Sequence, residues 1–303
     1  MKYRITFILA LKDRHEETIN WIKNNICRDF YYLVLDGSLR NSNKKIFEKF
    51  KSENLNYIRC KKDLKYINYY SKLYFGACKV KTDYVMQVDN DDFINPTAIK
   101  KIISYLDKNQ NIDFAQGYIS GVNCFLNCYY ISDYRENNCQ HLQSKNNKIK
   151  IHNLLKQYKL LWYSVYRKNF YKIVNEKTKN FNCKNYINNE ILHALLSLSY
   201  GNFKFLNCIS YIRKTNPIFS SFRNAPEKMI KDNICEINEI LNYIEKINKF
   251  EKNSLYKMNY IGKKILVVRK FFLVRLILYF LRKIPLSINN VIKVNNFLLK
   301  KNF

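Results

Sequence analysis

The feature that most constrains this chain is a hydrophobic segment that runs directly into a group of carboxylates. Residues 84–88 have the bulk and branching of a buried strand, and Asp89, Asp91 and Asp92 follow at once. Closely spaced carboxylates repel one another, and their burial without partners costs free energy. A hard divalent cation removes this conflict because it binds carboxylate oxygens together with substrate phosphates. The pattern predicts a metal site at the carboxyl end of a strand, where α/β sheets bind ligands.

A purely structural interpretation of the same segment stays open. Asn95 and Pro96 begin a run with helical character, and an acidic turn often precedes and caps a helix.

Strand and helix patterns alternate along the chain, which indicates an α/β fold with a doubly wound, mostly parallel sheet. We expect residues 120–150 to be a long polar loop, since they lack a clear period. The predicted strands, besides 84–88, are 3–10, 31–35, 55–60, 114–119, 162–167 and 203–209. The predicted helices are one containing Ile19, Ile22 and Ile26, and those at 43–53, 66–80, 98–108 and 187–200.

A chain of 303 residues with 47% hydrophobic residues is long enough for a large buried core. We divide it into a catalytic domain at 1–220 and a basic helical extension at 221–303. The nine cysteines are scattered without a Cys-x-x-Cys pair, which indicates reduced cytosolic thiols rather than a disulfide framework or zinc ribbon. The first strand lacks the apolar core of a signal peptide, so we expect none.

The net charge of +29 favours an anionic partner such as a phosphorylated substrate, an acidic lipid or a nucleic acid. Residues 252–303 contain twelve Lys or Arg and no Asp or Glu. They include an apolar run at 265–284 that is interrupted by basic residues, so no uncharged piece reaches the roughly 20 residues of a spanning helix.

Four acidic features stand in order along the alternating pattern: Asp13 after the first strand, Asp36-Gly37-Ser38 after the second, the carboxylates at 89–92, and Glu190 on a late helix. Together they resemble family 2 glycosyltransferases of the GT-A fold. Asp36-Gly37-Ser38 resembles the Asp-Gly-Ser motif of that family, and Asp89-Asn90-Asp91 resembles its Asp-x-Asp motif. Gly117 resembles the glycine of the next strand, and Asn189-Glu190 the late acidic motif. The resemblance covers residues 3–215, and four motifs in the right order are fairly specific.

The resemblance implies a metal-assisted, inverting hexosyltransferase that uses a nucleotide-diphosphate sugar, with UDP as the expected nucleotide. Asp36 would accept a hydrogen bond from the nucleotide base. Asp89 would lie near the ribose and the metal, and Asp91 would ligate Mg²⁺ or Mn²⁺. Glu190 would be the general base for a hydroxyl of a glycan or lipid-linked acceptor.

Several of these assignments have a structural alternative. The late motif of the family often pairs two acids or ends in aspartate, whereas Glu190 follows an asparagine. It is also explained as an acid favoured by the helix macrodipole. Asp13 is either a nucleotide contact or an ordinary turn residue. Lys72 would meet the diphosphate, although in so lysine-rich a chain a solvated lysine is the favoured interpretation. His193, three residues after Glu190, is a further ligand or, as we favour, a packed histidine.

The basic segment 254–303 predicts either a helix lying on an anionic membrane or a helical subdomain packed on the core. With the first, the enzyme would be cytoplasmic and peripheral on the inner face of the plasma membrane, acting in cell-surface polysaccharide biosynthesis.

The alternatives to a transferase are a nucleotidyltransferase on a related fold, a basic membrane- or nucleic-acid-binding protein, and a catalytically inactive relative. The loop Lys12-Asp13-Arg14-His15 lacks the glycines of a nucleotidyltransferase phosphate loop, and no nucleic-acid-binding motif is present, so no nucleic acid is expected. Intact Asp89 and Asp91 argue against inactivity.

Overall fold

The structure, a computed structural model, describes residues 3–50, 52–125, 128–133, 138–214, 234–251, 254–255 and 286–300. The strands are β1 (Ile5–Leu11), β2 (Tyr31–Asp36), β3 (Leu55–Arg59), β4 (Tyr84–Val88), β5 (Phe93–Ile94), β6 (Phe114–Phe125), β7 (Cys128–Asp133), β8 (Val165–Arg167) and β9 (Phe203–Lys214). The helices are α1 (His15–Asn25), α2 (Ser42–Lys49), α3 (Tyr66–Lys79), α4 (Pro96–Lys108), α5 (Asn147–Lys156), α6 (Lys168–Phe181), α7 (Tyr186–Tyr200), α8 (Ile234–Asn248) and α9 (Ile288–Lys300), with a 3₁₀ turn at Gln140–Leu142.

The first half of the chain builds a parallel sheet in the order β3-β2-β1-β4. Every residue of β4 is buried, as expected for a parallel strand that helices cover on both faces. α4 follows the rules of a helix start, since the side chain of Asn95 accepts the N–H of Ala98 and Pro96 begins the helix. Its apolar residues recur at helical spacing on the buried face.

The second half of the sheet is mixed. β8 lies antiparallel between β4 and β6, β9 runs parallel to β6, and β5 pairs antiparallel with β9. β6 and β9 approach closely where their register shifts, and a side chain at Gly117 would overlap the backbone carbonyl of Cys208. The predicted α/β architecture with a mostly parallel, doubly wound sheet is confirmed, and its antiparallel strands come from the later half of the chain.

Two local expectations are wrong, and one helix was not predicted. Residues 120–150 are not one irregular loop, because β6 continues to Phe125, β7 pairs with it, and α5 begins at Asn147. The strand expected at 162–167 begins only at Val165. α6 was missed, although its buried residues Phe170, Tyr171, Val174 and Thr178 recur at helical spacing.

The C-terminal helices pack on this sheet: α8 contacts α7, and α9 contacts β9 and β7. Ile240 and Ile244 of α8 and Val291 of α9 are fully buried, so both helices contribute side chains to the core. The apolar run at 265–284 and the proposed boundary at residue 220 lie outside the described residues. Among the helices that are described, none combines the length and apolar character needed to span a bilayer.

Candidate active site

Parallel pairing brings the first three candidate loops to one edge of the sheet. Leu11 at the end of β1 lies opposite Asp36 of β2, and Leu9 lies opposite Val88 of β4. The loops that follow these strands therefore meet at the carboxyl edge. The sequence alone predicted this meeting, because alternating strands and helices imply parallel neighbours.

Asp36, with Ser38, Tyr57 and Arg59, forms what we call the Asp36 cluster. The Asp36 carboxylate is fully buried. One oxygen accepts the backbone N–H of Ser38 at 2.9 Å and its hydroxyl, and the other accepts the Tyr57 hydroxyl at 2.6 Å and an Arg59 N–H at 2.7 Å. Burial opposes ionisation, but the Ser38 and Tyr57 hydrogen bonds and the Arg59 charge outweigh it and lower the pKa of Asp36. Four donors occupy the lone pairs that a carboxylate offers, so a nucleotide base would have to share an oxygen that is already bonded. The predicted hydrogen bond from the base to Asp36 stays a prediction.

Sequence reasoning missed Tyr57 and Arg59, although a signal was present. Both lie on β3 two residues apart and hence on one face, and β3 is parallel to β2 with Arg59 opposite Asp36. The Arg59 side chain is 25% exposed, so it reaches the surface that Asp36 itself does not.

Asp13 links the loops after β1 and β2. Its backbone N–H donates to the Ser38 hydroxyl at 2.6 Å, and its carboxylate accepts the N–H of Leu39 at 3.3 Å. Its φ of 56° lies in the left-handed region, as does that of Arg14 at 58°. These contacts explain Asp13 as a turn residue, and its predicted nucleotide contact stays a prediction.

Lys72 is buried, so the expectation of a solvated lysine is wrong. Its ammonium group pairs with the carboxylate of Asp63 and donates to the carbonyl of Leu11 at 2.8 Å. Burial lowers the pKa of Lys72, and the negative charge of Asp63 opposes that shift. A side chain at Gly37 would overlap the Asp63 carboxylate, so the glycine of the Asp-Gly-Ser motif makes room for this pair. A contact of Lys72 with a diphosphate stays a prediction.

Asp89, Asp91 and Asp92 form the acidic cluster, in which one oxygen from each lies within 4.8 Å of the others. Asp89 accepts the hydroxyl of Tyr163, and the Arg14 guanidinium lies 2.8 Å from an oxygen of Asp91.

Asp92 has a different role within this cluster. It is buried and accepts the N–H of Lys214 at 2.8 Å, which ties the turn to the end of β9. The Lys214 contact fixes the turn, and the next helix is capped by Asn95 rather than by an acid of the cluster.

The acids of this region are short of positive charge. Burial, followed by the charge of Asp91, raises the pKa of Asp89 to about 6, and burial with the same neighbour raises the pKa of Asp92 well above its ordinary value. Arg213, at the end of β9, lowers both pKa values in part and was also missed from the sequence. Hard oxygen ligands at this spacing fit Mg²⁺ or Mn²⁺.

Glu190 lies in the second turn of α7, because the helix begins at Tyr186 after an Asn185 cap. The interpretation of Glu190 as a first-turn acid favoured by the macrodipole is therefore wrong, since that effect falls off within the first turn. Burial raises the pKa of Glu190 to about 7, a hydrogen bond from Tyr186 lowers it, and the charge of Asp89 raises it. One carboxylate oxygen has no hydrogen-bond partner in the part of the chain that the structure describes.

His193 packs among aromatic rings, as we favoured. Its ring centroid lies 4.7 Å from that of Trp162, 5.7 Å from Tyr166 and 6.3 Å from Tyr171. Burial lowers its pKa to about 3, so the imidazole is neutral. Within the described residues its ring nitrogens have no hydrogen-bond partner, and it is not part of the group of acids that offers metal ligands.

Comparison with known proteins relates most of the predicted site to one protein family. The family profile described as "Glycosyl transferase family 2" matches residues 13–170, a segment that holds Asp13, Asp36, Lys72 and the acidic cluster but ends before Glu190. A search of curated protein sequences found no match.

Among solved structures, S. aureus TarS 1-349 superposes with a TM-score of 0.55 at 13% identity over 84% of this chain and 69% of that chain. S. aureus TarS gives 0.54 at 14% identity over 84% of this chain and 42% of that chain. TarS 1-349 in complex with UDP-GlcNAc gives 0.52 at 13% identity over 84% and 70%. At identities this low, the superpositions show a shared fold and nothing further.

Proposed function

The chain belongs to glycosyltransferase family 2, and on that premise we propose that it moves a sugar from a UDP-sugar to a hydroxyl of a glycan or lipid-linked acceptor with inversion at the anomeric carbon. The observation that carries the proposal is an under-compensated acidic cluster together with Glu190, a buried acid with a pKa of about 7 on which the charge of Asp89 acts. A structural acid is normally paired, as Asp36 is. Acids left short of positive charge indicate a site that binds cations and moves protons.

Asp91 and Asp89 would hold Mg²⁺ or Mn²⁺. When bound, the ion supplies positive charge to the departing nucleoside diphosphate. Tyr163 would keep Asp89 oriented through its hydroxyl, and Lys214 fixes Asp92 so that the turn keeps its shape. The separation of roles predicts that Asp91 is the main ligand and Asp92 a structural residue.

Glu190 would act as the general base. The acceptor oxygen attacks the anomeric carbon, the bond from that carbon to the diphosphate oxygen breaks, and the acceptor proton passes to Glu190. A pKa of about 7 suits this task, because the group is partly ionised near neutral pH and still basic enough to take a proton. The single displacement inverts the configuration.

The Asp36 cluster would bind the nucleotide through the groups that Asp36 holds in place. Arg59 and Tyr57 reach out from the buried carboxylate, so Asp36 would fix their orientation for the base or ribose. The structures of TarS fragments bound to UDP-GlcNAc and to UDP support a uridine nucleotide as donor. Asp13 would contribute from the neighbouring loop, and Lys72 would supply positive potential beneath the diphosphate.

The location of the enzyme follows from the same hypothesis. We place it in the cytoplasm, peripheral on the inner face of the plasma membrane, where a lipid-linked acceptor of cell-surface polysaccharide synthesis is available. Replacing Arg269, Lys270, Arg275 and Arg282 by Gln should abolish sedimentation with anionic liposomes while α9 stays intact. Equal sedimentation of this variant and the unaltered chain would reject the membrane role.

The function is tested with a panel of nucleotide sugars, Mn²⁺ and a chelator, by following nucleoside diphosphate release. Glu190→Gln should keep donor affinity and lose turnover by about 10² to 10⁴-fold, the usual contribution of a general base. Glu239→Gln, at an exposed position of α8, is the matched control. Unchanged turnover in Glu190→Gln would remove this residue from the mechanism, and no release from any donor would reject the transferase.

A further inference from the structure

Arg14 is held by its backbone beside the acidic cluster. Its carbonyl accepts the N–H of Thr18 at 3.1 Å, the hydroxyl of Thr18 at 2.8 Å and the side-chain amide of Asn90 at 3.3 Å. Asn90, the middle residue of Asp89-Asn90-Asp91, is buried and also donates to the Thr18 hydroxyl at 3.0 Å. The loop after β1 and the loop after β4 are thus fastened together at this carbonyl.

The backbone there adopts an unusual conformation to make these bonds. Asp13 and Arg14 both have positive φ, at 56° and 58°. For a residue with a side chain this conformation costs on the order of 1–3 kcal/mol, and such residues concentrate at functional sites. Two local bonds from Thr18 and one tertiary bond from Asn90 hold the Arg14 carbonyl in this turn.

The side chain of Arg14, by contrast, is only lightly held. It is 59% exposed, and its ion pair in the described structure is with Asp91, at 2.8 Å. Asp91 is also the carboxylate that we assign to the divalent ion. The guanidinium therefore occupies one oxygen of the carboxylate that the ion would use.

We propose that Arg14 exchanges partners during donor binding: it pairs with Asp91 before the ion arrives and with the donor diphosphate afterwards. The inference rests on the proposed function. Two cations on one carboxylate repel each other, so the divalent ion displaces the guanidinium. Because its backbone is fixed to the Asp89–Asp92 loop, the displaced side chain stays next to the ion and its phosphates. A planar guanidinium forms paired hydrogen bonds with phosphate oxygens that suit this second position.

The exchange of partners couples the binding of the divalent ion to the binding of the donor diphosphate. Without nucleotide, Arg14 weakens ion binding because it competes for Asp91. With nucleotide, it strengthens the ternary complex because it gains the phosphates. Removal of its charge must therefore have opposite effects on the two binding steps.

The experiment compares the full chain with Arg14→Met and Arg28→Met by calorimetry. Arg28 is an exposed arginine beyond the far end of α1, and its replacement removes the same net charge away from the cluster. Arg14→Met should bind Mn²⁺ alone at least about fivefold more tightly, at the lower end of usual coupling. It should bind UDP in saturating Mn²⁺ about tenfold or more weakly, the loss of a charged hydrogen bond. Arg28→Met should match the unaltered chain in both titrations.

Either of two results overturns the proposal: Mn²⁺ affinity in Arg14→Met that is equal or weaker, or UDP affinity that is unchanged. Arg14→Lys keeps the charge and should bind Mn²⁺ as the unaltered chain does, which separates charge from shape. Thermal unfolding followed by circular dichroism checks that each variant is folded. If the unaltered chain binds neither Mn²⁺ nor UDP, the proposed function fails with the inference. If it binds both and Arg14→Met does so equally, only the inference fails.

Discussion

The Asp36 cluster and the acidic cluster lie on the same edge of the sheet and differ in how their negative charge is compensated. The Asp36 cluster gives one buried carboxylate four hydrogen-bond donors, and its pKa is lowered. The acidic cluster packs three carboxylates within 4.8 Å, and the pKa values of Asp89 and Asp92 are raised.

The difference shows for which carboxylates the protein itself supplies enough hydrogen-bond donors and positive charge. A saturated carboxylate positions its donors, so Asp36 has no need of an external ligand. An under-compensated group is stable only together with a proton or a cation. The presence of a conspicuous aspartate at the end of a strand is therefore less informative than the count of donors around it.

The largest expected effect comes from a buried ion pair, that of Lys72 with Asp63. Lys72→Met leaves the Asp63 carboxylate buried without its cation, and we expect a loss of about 4 kcal/mol in the free energy of unfolding, measured by urea denaturation. Lys44→Met, which breaks the exposed pair with Glu48, should cost less than about 0.5 kcal/mol. Similar losses in the two variants would show that the buried pair is not special.

The next effect compares the two clusters directly. Asp36→Asn should lower the free energy of unfolding by about 3 kcal/mol, because Arg59 and Tyr57 lose a charged partner inside the protein. Asp91→Asn should leave the metal-free protein equally or more stable, since it relieves repulsion in the acidic cluster. The same urea series measures both, and a loss of equal size in Asp91→Asn would contradict the comparison.

Ionisation of Glu190 and of Asp36 should change the stability of the fold with pH in opposite directions. The folded-state pKa of Glu190 is about 7, above its ordinary 4.5, so folding takes up a proton and Glu190 destabilises the fold as the pH rises between these values. Glu190→Gln should therefore gain stability relative to the unaltered chain from about pH 5 to about pH 8, by more than about 1 kcal/mol.

Asp36 provides the control for that experiment. Its pKa is lowered, so its stabilisation is complete above its ordinary value of 3.8 and is lost only as the pH falls through the folded-state value. The stability difference between Asp36→Asn and the unaltered chain should hence stay flat over the range in which that of Glu190→Gln changes. A slope of equal size in both variants would reject the contrast.

The smallest effect is expected at His193. Its imidazole is neutral, buried and surrounded by aromatic rings, so His193→Phe should change the free energy of unfolding by less than about 1 kcal/mol. Mn²⁺ affinity, measured by calorimetry, should not change. A clear loss of Mn²⁺ affinity would instead make His193 a metal ligand.

Much of the fold was predictable because the first half of the chain is strongly periodic. β1, β2 and β4 are continuous apolar runs, and their polar C-terminal ends are enough to place Asp36 and Asp89 on one edge of a parallel sheet. The prediction was weaker where polar residues carry regular structure. β7 pairs with β6 off the main path of the sheet, and in α6 lysines and asparagines lie between the buried Phe170, Tyr171 and Val174.

The residues of the candidate site also differ in how far the sequence predicts them. Acids at strand ends can be recognised from local pattern, whereas their partners come from distant parts of the chain. Arg14 meets Asp91 across 77 positions, and Tyr163 meets Asp89 across 74. No local pattern carries such contacts.

The sequence by itself determined the α/β fold, the family resemblance and the order of the acids along the chain, because periodicity and strand-end composition are local properties. Only the tertiary structure decided what each acid is. It buried Asp36 beneath four donors, turned Asp92 toward Lys214, withdrew Lys72 from solvent and raised the pKa of Glu190. The physical reason is that the pKa and the role of a carboxylate depend on burial and on the donors within a few ångströms, and these come from residues far apart in sequence.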